Sequence, residues 1–189
     1  MMRFSMNFCL MVTVALLSGC LYTFHPAYDP ADVVSDPQVA GSWLEVKEGD
    51  LQWTFEVVDE KTYRVTAREK DEESRPFTGQ LFKLGKDTFL DMFPQEREGE
   101  NFFQDQVVAF HTVYRLCRNG DDLKLQALDP DWGNKMLEEK KIDVEFLQVD
   151  DHIKIISSSQ TKNRELLLTY ADEAFTGKVD IDFKRVKKE

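Results

Sequence analysis

Cysteine and histidine are scarce, three of each in 189 residues, and they are scattered. His25, His111 and His152 show no His-x-x-x-His spacing, and no Cys-x-x-Cys pair occurs, so the chain carries no metal-ligating pattern. A nucleophile elbow of the Gly-x-Ser-x-Gly type, a phosphate loop and the dinucleotide glycine pattern are missing too, which leaves no cofactor and no motif for an enzyme. No apolar run approaches the roughly 20 residues that a spanning helix needs. Positive charge is in deficit: 24 Lys and Arg stand against 35 Asp and Glu. A net charge of -11 repels nucleic acid and excludes it as a general partner. The basic cluster Lys184, Arg185, Lys187 and Lys188 sits beside Asp180 and Asp182 and reads as an ordinary strand end.

What is present begins at the N-terminus. Arg3 supplies a positive start, Phe8 to Leu17 a run of about ten mostly apolar residues, and Ser18-Gly19 the small residues before a cleavage point, the layout of a secretory signal. The ending Leu17-Ser18-Gly19-Cys20 resembles the lipobox of bacterial lipoproteins. That resemblance implies removal of residues 1–19, a thioether-linked diacylglycerol on Cys20 and acylation of its new amino group. Several acyl chains, each worth ~0.8 kcal/mol per buried methylene, imply stable anchoring to a membrane. Leu21 stands where the inner-membrane retention signal of enteric bacteria places Asp, so the resemblance implies an outer-membrane lipoprotein facing the periplasm. Cys9 leaves with the signal and Cys20 is committed to lipid, so Cys117 has no partner for an internal disulfide. The domain then relies on its own apolar core, with Cys117 expected inside it.

Residues 20–38 contain Pro26, Pro30 and Pro37 among polar residues and read as a lipidated tether, with Tyr22, Phe24 and Tyr28 placed to touch headgroups. From residue 39 to 189 the dominant signal is alternation. Leu51, Trp53, Phe55 and Val57, then Tyr63, Val65 and Ala67, predict two half-buried strands joined across Asp59-Glu60. Further strands are predicted at 77–84 and 88–93 across Gly85-Lys86, at 107–117 and 123–128 across Asn119-Gly120, at 142–149, at 153–156 and at 179–186. Residues 94–106, around Phe102-Phe103, predict a long loop. Asp129 with Pro130 predicts a helix that shares Trp132, Met136 and Leu137 on one face, and 161–175 predicts a second, entered from Ser157-Ser158-Ser159. No repeat is evident. The reading is one mainly β domain, an antiparallel barrel of about nine or ten strands with two short helices.

Gly41-Ser42-Trp43 at the first barrel strand resembles the Gly-x-Trp motif that opens lipocalin-like barrels. In that superfamily a basic side chain from a late strand lies across the tryptophan and closes the barrel base. Val179, Ile181, Phe183 and Arg185 alternate onto one face, so Arg185 is the matching partner for a cation-π contact with Trp43. Leu44 and Val46 alternate onto the face opposite Trp43, which calls for a bulge or a strand buried on both sides.

One polar pair lies within apolar strands: Asp91 in Phe89-Leu90-Asp91-Met92-Phe93 and His111 in Ala109-Phe110-His111-Thr112-Val113. As cross-strand neighbours they either order an imidazole for acid-base work or for gripping a polar ligand head, or serve as a satisfied pair that stabilises the sheet. Tyr114, Arg115 and Tyr63 are the residues expected to line a ligand site with them. Two functions follow: a membrane-held barrel that binds a hydrophobic or amphipathic small molecule, as the lipocalin resemblance implies, or a structural lipoprotein that presents its surface to an envelope protein.

Overall fold

Alternation in the sequence becomes sidedness in the fold, because successive strand residues point to opposite faces. The computed structural model describes residues 21–96, 108–149, 154–177 and 180–187. Cys20 and the lipobox lie outside the described residues, as do Phe102 and Phe103 of the expected loop. Twelve strands are described: β1 (Leu21–Thr23), β2 (Val33–Val34), β3 (Gly41–Glu45), β4 (Leu51–Val57), β5 (Tyr63–Glu69), β6 (Arg75–Leu84), β7 (Asp87–Pro94), β8 (His111–Asn119), β9 (Asp122–Gln126), β10 (Phe146–Gln148), β11 (Lys154–Ile156) and β12 (Asp180–Arg185). Two α-helices join them, α1 (Pro130–Glu138) and α2 (Gln160–Ala174).

Eight of these strands, β3 to β9 with β12, pair antiparallel around a closed ring in which β12 sits between β9 and β3. This is the lipocalin-like barrel that the sequence predicts. The ring itself has eight strands, fewer than the expected nine or ten, because the strands expected at 142–149 and 153–156 pair outside it as β10 and β11; β1 and β2 bring the described total to twelve. β2 pairs with β6, while β1 pairs with the start of β8 (Leu21 opposite Val113) and, in parallel, with β11, which carries β10 on its far side. β1 and β9 share one edge of β8 end to end, β1 along His111–Val113 and β9 along Arg115–Asn119.

Two turns differ in detail from the sequence reading. Val57 is opposite Tyr63, so the β4–β5 loop is 58–62; without glycine a two-residue primed turn is disfavoured, and Asp59 instead accepts a hydrogen bond from the Lys61 amide at 2.8 Å. Asn119 is opposite Asp122, so the centre of the β8–β9 turn is Gly120-Asp121, with Gly120 supplying a φ of 60°.

Two apolar cores share one wall. Inside the barrel, Trp43, Trp53, Phe55, Tyr63, Val65, Leu81, Leu90, Tyr114, Leu123, Leu125 and Phe183 are buried. Trp53 touches Phe55, Tyr114 and Phe183 with ring centroids 5.7–6.2 Å apart. Outside the barrel, Phe82, Leu84, Phe89 and Val113 of β6–β8 are covered by residues 27–33 and by Leu166, Leu167, Ala171 and Ala174 of α2. A ladder of rings crosses this second core: Tyr28 on Phe82 at 4.6 Å, Phe82 on Phe89 at 5.3 Å and Phe89 on Phe175 at 5.6 Å.

The second core corrects the reading of residues 21–38 as a tether. Ala27 and Tyr28 are buried, and Tyr28 therefore faces the barrel wall instead of headgroups. Burying such a side chain is worth about 1.5–3 kcal/mol and offsets part of the entropy lost in ordering a proline-rich segment that lacks regular structure of its own. Cys117 is likewise corrected: it points outward on β8, beyond the cover of α2, and is exposed. Leu44 and Val46 need neither a bulge nor a second cover, because they face outward and are 39% and 56% exposed. Both helix starts match the sequence. Asp129 accepts from the amides of Asp131 and Trp132, and Ser159 from that of Lys162.

Candidate functional site

The barrel closure and the Asp91–His111 pair lie in different parts of the molecule. At the closure, the Arg185 guanidinium lies 4.1 Å from the Trp43 ring centre, the contact that the motif implies. Arg185 also donates to the carbonyls of Ala40, at 2.8 Å, and Gln38, while Trp43 Nε1 donates to the Val39 carbonyl at 2.8 Å. Gly41 is required there: its φ is +128°, and a Cβ would stand 2.7 Å from an Arg185 nitrogen.

The Asp91–His111 pair is built by β7, β8 and the N-terminal segment. Asp91 is opposite Val113, which brings His111 two residues along β8 onto the same outer face. His111 Nδ1 lies 2.8 Å from Asp91 Oδ2, with the two side chains 16% and 4% exposed. An ionised carboxylate only accepts, so Nδ1 carries the proton in this arrangement. The Tyr28 hydroxyl is 3.2 Å from the same oxygen and also contacts Gln80 Oε1. Burial, and then the charge of Asp91, push the Tyr28 phenol well above its ordinary range, so it remains a donor. Asp91 Oδ1 is buried with no hydrogen-bond partner, an unmet acceptor under the N-terminal segment. The His111 ring rests against Phe93 at 4.7 Å, and its backbone pairs with Thr23 of β1.

Alternation separates the other expected site residues from this pair. Tyr114 points into the barrel, edge-on to Trp53 at 5.8 Å, and Tyr63 is also interior, with its hydroxyl donating to the Asp36 carbonyl at 3.0 Å. Arg115 shares the outer face with His111 but lies further along β8, where it donates to Asp87 at 2.6 Å and Asp172 at 3.2 Å. Tyr114 therefore lies on the opposite side of the sheet from Asp91, His111 and Arg115. The reason is that neighbouring strand positions point to opposite sides.

The sequence reading missed Tyr28, Gln80 and the polar stripe of α2. Gln160 donates to Asp29 Oδ1 at 2.8 Å, Asn163 Nδ2 to the His25 carbonyl at 3.0 Å, and Arg164 to both oxygens of Asp32 at 2.7 and 3.0 Å. Positions 160, 163 and 164 fall on one helical face, so the spacing is a legible signal; its target on residues 25–32 is not. Chemically, the arrangement is a polar clasp that fixes the N-terminal segment to the outer wall. An open groove of about 480 Å³ lies elsewhere, lined in part by Val46, Cys117, Lys124, Asp182 and Lys184. Among the described residues no group of three His, Cys, Asp or Glu side chains is placed to hold a metal ion. Comparison with protein-family models, curated proteins and solved structures gives no match for this chain.

Proposed function

We propose that this chain is an acylated lipoprotein, held through Cys20 on the outer membrane and facing the periplasm, whose barrel serves as a rigid body for contacts with other envelope proteins. The observation that carries the interaction role is the filling of the barrel by its own rings, with Trp53 in contact with Phe55, Tyr114 and Phe183. Barrels of about eight strands are just wide enough for side chains to fill or for one small ligand to enter. The anchor rests on the lipobox-like ending at Cys20. Labelled palmitate is expected in the wild-type protein and absent from Cys20→Ala; equal labelling of both refutes the anchor.

One observation favours the second reading, a bound hydrophobic or amphipathic small molecule: Trp53 Nε1, within the barrel, has no hydrogen-bond acceptor. Native mass spectrometry of the full chain, released from detergent, separates the two. The interaction role predicts the mass of the acylated polypeptide alone, and a co-purifying small molecule lost in Trp53→Ala establishes the ligand-binding role instead.

A further inference from the structure

The sheet that closes on itself around the barrel does not close at its other end. β10 terminates the path β10-β11-β1-β8, and among the described residues it pairs on one side only, with β11. Its register shows which backbone groups are left outside. The Ser157 amide donates to the Glu145 carbonyl at 2.8 Å, which marks Glu145–Ser157 as a hydrogen-bonded pair. Alternation along an antiparallel ladder then makes Leu147–Ile155 the next such pair and turns the amides and carbonyls of Phe146 and Gln148 toward the open edge. The side chains are open as well: Phe146 is 40% exposed, Leu147 53% and Val149 56%, on both faces of the strand. Phe146-Leu147-Gln148-Val149 contains no lysine or proline, the residues that commonly blunt an edge.

We propose that β10 is a docking edge that accepts an extended, basic segment of a protein partner as an added strand. This deepens the interaction role given above and rests on it. The outward amides and carbonyls of Phe146 and Gln148 need hydrogen-bonding partners once covered. A second strand supplies them and hydrocarbon does not, which favours a polypeptide over a lipid surface. Charge selects the kind of strand. Exposed Glu145, with Asp143 that is ion-paired to Lys162 at 3.0 Å, leads into β10, and the whole chain has a net charge of -11, so a second copy is repelled and a segment with lysine or arginine among alternating apolar residues is favoured.

The test uses the full chain in neutral detergent and a labelled nine-residue probe, Lys-Val-Thr-Val-Lys-Val-Thr-Val-Lys, capped at both ends. Binding is read by fluorescence anisotropy, and protection of the Phe146 and Gln148 amides by hydrogen exchange. The probe is expected to bind and to protect both amides. At least a tenfold loss of affinity is expected on methylating alternate probe amides or replacing its lysines by glutamate. Gln148→Pro removes one outward donor at an edge position that tolerates proline and is expected to weaken binding about tenfold with the melting temperature unchanged. If that variant misfolds, the methylated probe still decides. No binding, equal binding of the methylated or glutamate probes, or protection by phosphatidylcholine vesicles in place of the probe overturns the proposal. Such a result leaves the palmitate and mass-spectrometric outcomes standing, so failure here is distinct from failure of the lipoprotein reading.

Discussion

Gly41 shows how much one residue carries when backbone and side-chain demands coincide. Its φ of +128° is a conformation that L-residues avoid, and the space a Cβ would fill belongs to Arg185. Gly41→Ala is therefore expected to destabilise the protein by about 1–3 kcal/mol from backbone strain, measured by urea unfolding. Loss of the Arg185–Trp43 contact should accompany it, seen as a change in tryptophan fluorescence. At the same scale, His111 is the charge-compatible partner of a nearly buried carboxylate. His111→Phe leaves Asp91 with Tyr28 alone and is expected to cost about 1–3 kcal/mol, the penalty for an under-satisfied buried acceptor. A thermal unfolding temperature equal to that of the wild type would show that the His111–Asp91 contact contributes nothing to stability.

Among the elements, α2 acts as a clamp, and its ion pair to the N-terminal segment gives acid sensitivity. The Arg164 guanidinium beside Asp32 holds that carboxyl below its ordinary value of 3.8. A depressed carboxyl contributes stability that is present above the unfolded-state value and is lost as pH falls through the folded one. Arg164→Met is thus expected to destabilise the protein modestly at neutral pH, and the difference from wild type should shrink steadily as pH falls through the acid range in which Asp32 protonates. Urea unfolding of both proteins across that range checks it. The same helix shows what was legible beforehand. Its start, its end and its apolar stripe through Leu167 and Ala171 follow from spacing and capping, which are local properties. What Gln160, Asn163 and Arg164 grip follows from the path of a segment about 130 residues earlier, and no local pattern encodes it. The Asp91–His111 contact was legible because both sit at odd places in apolar strands. Its separation from Tyr114 follows from the same alternation, because His111 and Tyr114 are an odd number of residues apart and so point to opposite faces.

At the level of the whole molecule, two cores lean on one wall, and they need not be equally stable. The outer core is held by a short β1, a segment of irregular backbone and one helix, whereas the barrel is closed by eight paired strands. Phe175→Ala removes the last ring of the outer ladder and is expected to cost about 3–5 kcal/mol. Native-state hydrogen exchange should then show β1 and α2 opening together while β4 to β7 remain protected. Uniform loss of protection through the barrel would instead mean that the two cores form a single cooperative unit.

Local patterns suffice to mark the chain as mainly β and to place most strand starts and both helix starts, because alternation, capping residues and turn glycines act over a few residues; the Trp43–Arg185 contact, between residues far apart in the chain, was expected only from the resemblance to lipocalin-like barrels. The assembled fold adds that residues 21–34 bind the barrel wall, that Cys117 is exposed, that the face carrying Leu44 and Val46 is left uncovered, and that among the described residues β10 has an open edge. Those outcomes depend on which distant surface is available to bury an apolar side chain or to complete a ladder, and that is a property of the assembled sheet.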